Sequence, residues 1–256
     1  RPLPLILMFL VLHVLIPVTA YGVGYLFFPE NINYITGIVL EFSVPVAVIS
    51  LMWVSIYNGN NPLSLSLVIL DTILSPFLIP ATLKILVGSN IKMDTAGMMK
   101  ELVFMIALPA VIAMCLNEFS HGKVMETWPK KLAPFSKMCL IFVVTSNSSK
   151  VSPYIKHLNG ERLAVTAVIL VLSASGYAIG WLIAIVTKQN KEATVSMIYG
   201  SGMRNISAGA VIAGAYFPAE CLFPVMIGTL FQQILAAFYG SLVRRVQMSQ
   251  HKKEDI

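Results

Sequence analysis

Tyr199-Gly200-Ser201-Gly202-Met203-Arg204-Asn205-Ile206-Ser207-Ala208-Gly209 is the stretch that decides how this sequence folds. It lies within an apolar run, residues 193–217, long enough to cross a bilayer, yet it carries three glycines and an arginine close to the middle. Glycine weakens a helix by about 1 kcal/mol relative to alanine. An unpaired cation at the bilayer centre costs at least ~2.5 kcal/mol. A spanning segment keeps such residues where a cavity, a ligand or a neighbouring helix satisfies the freed backbone groups. The stretch therefore reads as a discontinuous helix.

A second run has the same character. Residues 32–57 hold Glu41, Ser43, Pro45 and Ser50, and end in Asn58-Gly59-Asn60-Asn61-Pro62. Pro45 removes a backbone donor in mid-membrane. Each interrupted span follows one long apolar helix and precedes a helix with two prolines, Pro76 and Pro80 in one case, Pro218 and Pro224 in the other. Spans one to three thus resemble spans six to eight. An offset of five spans is odd, so the triplets cross in opposite directions. An inverted repeat with a broken helix in each half is the sequence pointer to a secondary transporter with its site at the midplane. Small residues that let helices pack closely are the other reading of the glycines.

The remaining chain agrees. Of 256 residues, 57% are apolar and 12% charged, with a mean hydropathy of +0.78, whereas a soluble surface needs about 25% charged residues. A soluble domain, a disordered chain and a nucleic-acid-binding arm are excluded. Apolar runs fall at residues 2–29, 32–57, 62–87, 102–116, 132–151, 163–187, 193–217 and 222–243, and their continuity favours helices over alternating barrel strands. The expected fold is an all-α polytopic membrane protein of about eight spans. Residues 1–87 form the first-repeat core, 88–151 a peripheral pair, 152–243 the second-repeat core and 244–256 a basic cytoplasmic tail. Ten basic residues fall on the side of the tail (Arg1, Lys123, Lys130, Lys131, Lys188, Lys191, Arg244, Arg245, Lys252 and Lys253) against five on the other (Lys92, Lys100, Lys150, Lys156 and Arg162), which places both termini in the cytoplasm, with the protein in the plasma or inner membrane. Cys115, Cys139 and Cys221 show no metal or disulfide spacing. No resident cofactor is expected.

Arg204 is the leading candidate for substrate binding, a fork of fixed donors suited to carboxylate or sulfate. A structural ion pair with Glu41 or Asp71 is its alternative role. Asn205 and Ser201 share its break, Ser50 lies in the other, and Gln232 and Gln233 in the last span could bond a substrate. With adjacent amides, one is expected to face the cavity and the other a neighbouring helix. Glu41, Asp71, His13 and Ser64 are candidates for ion coupling or pairing. Asn147, Ser148 and Ser149 read as an exposed cap or loop.

At these residues the chain resembles the bile acid:sodium symporter family. Gly202-Met203-Arg204-Asn205 is similar to the family's Gly-Met-Gln-Asn in the second crossing helix. Gly59-Asn60, Leu63-Ser64 and Ser75-Pro76 resemble the helix after the first crossing, and Arg1-Pro2 with Pro17 resembles the family's third helix. The resemblance implies a core and a panel domain of ten helices, two of them preceding Arg1, with residues 88–151 in the panel. It implies sodium-driven uptake of an organic anion by alternating access. The sodium ligands depart from the pattern. Ser50 and Ser64 match, but the family's Asn falls on Leu51, its Thr on Val68, its shared acidic ligand on Gly200, and its two Gln ligands on Arg204 and Leu12. A hard cation needs oxygen ligands at short range.

The expected function is therefore transport of a small organic anion, with Arg204 supplying as a fixed charge what bound sodium supplies elsewhere. A proton-coupled or uncoupled carrier, a channel, or a non-transporting sensor is the alternative. An intramembrane hydrolase using Ser201 is more remote, since the glycine expected two residues earlier is Tyr199. The expected partners are the anion and the lipid bilayer, with no nucleic acid. Nothing in the residues sets the oligomeric state.

Overall fold

The computed structural model describes residues 2–88 and 94–254, the last eight of them and scattered positions within 125–151 by backbone alone. Arg1, Lys92 and the last two residues of the tail lie outside the described residues. Among those described the structure is helical. Five helices are long and apolar enough to span, and two further crossings are each made of two shorter pieces. This is an integral membrane protein of the all-α class.

The first helix, α1 (Leu3–Phe27), contains a π-turn at Val11–Leu15. Pro17 explains it: a proline has no N–H for the carbonyl four residues back, and its ring crowds that carbonyl. Widening the turn lets the Ile16 N–H reach Val11 instead. The same solution recurs in α5 (Thr95–Phe119), where a π-turn at Val103–Ala107 precedes Pro109. Along α1 one face (Met8, Val11, Leu12, Ile16) is buried while Leu3, Ile6, Leu10, Val14 and Val18 are exposed. A helix apolar on both faces is suited to lipid on its outside.

The first crossing comprises α2 (Ile32–Ser43) and α3 (Ser50–Ile56), followed by α4 (Asn61–Leu86). Asn31 and Asn60 cap α2 and α4, accepting from the Tyr34 and Leu63 N–H groups at 3.2 and 2.9 Å. Val44 is extended because Pro45 disfavours helical geometry in the residue before it. After α5 come α6 (Lys123–Lys156) and α7 (Gly160–Val186). The second crossing comprises α8 (Lys191–Gly202) and α9 (Ile206–Tyr216), followed by α10 (Ala219–Glu254).

The two crossings meet at their breaks. Val46 and Arg204 form an antiparallel bridge, in which Asn205 N–H donates to the Pro45 carbonyl at 2.7 Å and Ala47 N–H to the Met203 carbonyl at 3.3 Å. Each break thus satisfies backbone groups freed by the other, as a bilayer interior demands. The ends are tied reciprocally too. Asn31 and Asn33 at the start of α2 donate to Glu220 at the start of α10. Ser196 on α8 donates to the Asn60 carbonyl at the start of α4.

Several boundaries differ from the hydropathy reading. The apolar run 132–151 is the middle of a 34-residue helix, so residues 147–149 lie inside α6 and not in a cap or loop. Its start is set by Gly122, whose φ of 85° few other residues adopt, and its length by the absence of a break before His157. Residues 244–254, read as a tail, continue α10 without interruption. Hydropathy marks where a helix is apolar, whereas capping chemistry marks where it ends.

Candidate functional site

The site begins with the backbone of the two breaks. Val46 N–H donates to Asp71 Oδ2 of α4 at 2.6 Å, and Arg204 N–H donates to Gln232 Oε1 of α10 at 2.8 Å. In each case the helix that follows a crossing holds the bridging residue of that crossing. Asp71 Oδ1 lies 2.7 Å from His13 Nε2. Asp71 is fully buried and the His13 side chain, which belongs to the π-turn of α1, is nearly so. π-turns of this kind concentrate at functional sites.

Beside the bridge is a cavity of about 450 Å³ lined by Ala47, Val48 and Ile49 of the first break, Arg204 to Ser207 of the second, and Thr229, Gln232 and Gln233 of α10. The 11-residue α9 begins here, with Asn205 accepting from the Ala208 N–H as its cap. Arg204 is 2% exposed, and its Nε and Nη1 have no hydrogen-bond partner. The expected ion pair with Glu41 or Asp71 is not made at contact distance. Among described residues the pair within 4 Å is His13–Asp71, and both carboxylates act on Arg204 only at longer range.

The other candidates divide. Gln232 and Gln233 both line the cavity, against the expectation that only one would. Each also anchors a neighbour, since Gln233 Oε1 accepts from Trp53 Nε1 of α3 at 2.9 Å. Asn205 lines it as well. Ser201 does not: it is buried against Gly180 of α7, where a β-carbon would meet its Cβ at 2.9 Å, and its Oγ has no partner. Ser50 is buried and outside the cavity lining. Ser64 is buried on α4 with its hydroxyl unpartnered. Their spacing put these serines in or next to the crossings, but the helical phase turns them inward.

Three of the positions where the resemblance implied cation ligands, Leu12, Leu51 and Val68, are apolar together. Met8, Leu12, Val46, Leu67, Val68 and Met197 form one buried cluster with Leu51 and Leu63 packed on it. Gly200 sits against it, with Met8 Sδ and Leu67 Cδ2 2.7 and 2.9 Å from where a β-carbon would lie. Sequence reasoning missed the aromatic brace below the crossing. Tyr57, Trp53 and Tyr199 stack at centroid distances of 6.1 to 6.3 Å. Tyr177 meets Tyr199 edge-on and donates to the Gln232 carbonyl. Trp53 was findable, one turn after Ser50 on the same half-helix.

Comparison with known proteins accords with this geometry. The model of the Sodium Bile acid symporter family matches residues 1–158. The chain is 41% identical over 248 residues to "Uncharacterized protein YbaS" of Bacillus subtilis, covering 97% of this chain and 81% of that one. The chain belongs to the Sodium Bile acid symporter family. Within this family it is 21% identical to "Uncharacterized sodium-dependent transporter YocS" of B. subtilis, covering 96% of this chain and 77% of the relative. It is 24% identical to "Probable sodium/metabolite cotransporter BASS3, chloroplastic" of Arabidopsis thaliana, covering 94% of this chain and 56% of the relative. Family membership makes the protein a membrane transporter and not an enzyme, which removes the intramembrane hydrolase.

Proposed function

We propose that the protein carries a small organic anion across the plasma or inner membrane by alternating access, with both termini cytoplasmic, and that Arg204 is the fixed counter-charge for the anion. The observation that carries this reading is the buried guanidinium at the crossing, unpartnered at Nε and Nη1, on a cavity whose other polar lining is neutral. Asn205, Gln232, Gln233 and Thr229 supply hydrogen bonds, and the start of α9 adds the positive end of a helix dipole. An anion here gains charge-assisted hydrogen bonds in a site of low dielectric.

The apolar cluster of Met8, Leu12, Leu67 and Val68 supports transport without the family's sodium ions. Side chains of carbon and sulfur offer a hard cation no oxygen. Arg204 then does permanently what a bound cation does transiently. Ser50, Ser64 and Ser201 serve the packing of the crossing helices. Asp71 and His13 fix the first break.

The test is a thermal-shift screen of carboxylate and sulfonate metabolites in sodium-based and choline-based buffers, followed by counterflow in proteoliposomes. Hits are expected to shift the melting of the parent protein equally in both buffers and to lose that shift in Arg204→Gln. Saturable counterflow marks a carrier and unsaturable flux a channel. Strong sodium dependence of uptake would defeat the reading.

A further inference from the structure

We propose that Glu41 takes up a proton when Arg204 binds its anion, so that anion and proton cross the membrane together. This inference rests on the anion reading of Arg204 and adds the ion that accompanies it.

Glu41 lies on α2, 1% exposed, one turn before the first break. Its Oε2 has no hydrogen-bond partner. Its Oε1 abuts Gly228 of α10, where a β-carbon would collide with it, and Ile206 of α9 lies on the same side. Neither neighbour donates a side-chain hydrogen bond or carries a charge. The charged group that acts on Glu41 is Arg204, beyond contact distance. A buried carboxylate without donors or a contacting cation is far more costly in its ionised form than its neutral one. What favours the ionised form in the empty site is the longer-range attraction of Arg204, and an anion seated on the guanidinium cancels that attraction.

Counting charge gives the coupling. Asp71 is engaged on both oxygens, by Val46 N–H and His13 Nε2, so Glu41 is the carboxylate left free to change as the anion arrives. Tyr177 on α7, the further titratable side chain that acts on Arg204, donates its O–H to the Gln232 carbonyl. If Glu41 is ionised, it balances Arg204, and an arriving anion leaves the buried cluster one negative charge in excess. If Glu41 is neutral, the same anion balances Arg204. Loading therefore replaces one counter-ion of Arg204 by another. A proton from the aqueous side forms an O–H bond to the Glu41 carboxylate as the anion enters. On the other side the anion leaves, Arg204 again favours the carboxylate, and that bond breaks to release the proton to water. The loaded and empty clusters carry the same net charge, which is what a site moving through low dielectric requires.

The experiment uses protein reconstituted in lipid and benzenesulfonate as probe, an anion that keeps its charge over the working pH range, so that any proton taken up belongs to the protein. Affinity is measured from pH 5 to 9, and the carbonyl stretch of neutral carboxylic acids is followed by infrared difference spectroscopy. Expected are binding that strengthens as pH falls, approaching tenfold per pH unit for one linked proton, and a neutral-carboxyl band that grows on binding and is absent in Glu41→Gln. That variant is expected to bind at a pH-independent affinity close to the parent's at low pH. Asp71→Asn is expected to keep both the band and the slope. A band lost in Asp71→Asn and kept in Glu41→Gln, or parent affinity flat across pH, overturns the inference while leaving the anion site standing. Absence of benzenesulfonate binding at every pH counts against the anion reading and removes the inference with it.

Discussion

The two breaks are built on one plan with opposite chemistry. In the first, a proline ends the helix, and the bridging residue Val46 is held by a carboxylate that is itself paired with a histidine. In the second, no proline is present. Glycines at 200 and 202 let Met8 and the Tyr177 ring press close, and the bridging residue Arg204 is held by a neutral amide. The first break is fixed by covalent geometry and closed off by a hydrogen-bonded carboxylate–histidine pair. The second is fixed by packing and keeps a cation with no contacting partner at a cavity. One repeat thus supplies the support and the other the charge proposed to meet substrate.

Substitutions at the two sites should accordingly differ in sign. Asp71→Ala has the largest expected effect. It strips the Val46 N–H and His13 of their acceptor, and breaking a buried pair in this way costs about 3–5 kcal/mol. Melting in detergent should fall steeply, and Asp71→Asn, which keeps an acceptor for Val46, should recover part of the loss. Arg204→Gln, the charge at the other break, should leave melting unchanged or raise it, because it removes two unsatisfied buried donors from a position where a cation costs at least ~2.5 kcal/mol. Anion binding should fall at least a hundredfold. A large drop in stability on losing Arg204 would mean that it braces the fold as Asp71 does, and the contrast would collapse.

Gln232→Ala and Gln233→Ala divide a smaller effect. Gln232 accepts from the backbone of the bridging residue, and leaving that buried N–H unsatisfied costs about 1–3 kcal/mol. Gln233 accepts from the partly exposed Trp53 indole, so its loss should cost less than about 1 kcal/mol. Both line the cavity, so both should weaken anion binding; only the first should also lower the melting temperature.

How much of this was legible beforehand follows the same division. The broken helices, the matching order of elements around them and the position of Arg204 at a break could be read because proline, glycine and charge are rare in spanning segments and each carries a fixed physical cost. Pro45 and Pro17 even mark the residues around which the backbone deviates. The phase of a side chain around its helix was not legible where both faces are apolar. Ser50, Ser64 and Ser201 therefore looked equivalent to Asn205 and Gln233, although they turn into the protein and the latter line the cavity. The His13–Asp71 pair joins residues 58 positions apart, and only the packing of α1 on α4 brings them together. The bridge between the breaks is likewise backbone to backbone, and carries no side-chain signature.

The smallest expected effect is the one that separates this chain most sharply from relatives whose names include sodium. A cation that binds the folded state at a hundred times its dissociation constant adds about 2.7 kcal/mol of stability. Such a gain would be plain as a raised melting temperature on exchanging choline for sodium. Here the positions around Gly200 are occupied by Met8, Leu12, Leu67 and Val68 in close contact, and a dry apolar cluster excludes a hydrated ion. Sodium should therefore shift melting no more than choline at equal ionic strength. Val68→Thr alone should not restore a shift: with Ser50 and Ser64 it brings the side-chain oxygens at the family's positions to three, fewer than the six or so ligands a hard cation requires, and Leu12, Leu51 and Gly200 still supply none. A sodium-specific rise in the unsubstituted protein would show that the cluster opens to admit the ion, and that the first break shares the ion binding assigned here to the second alone.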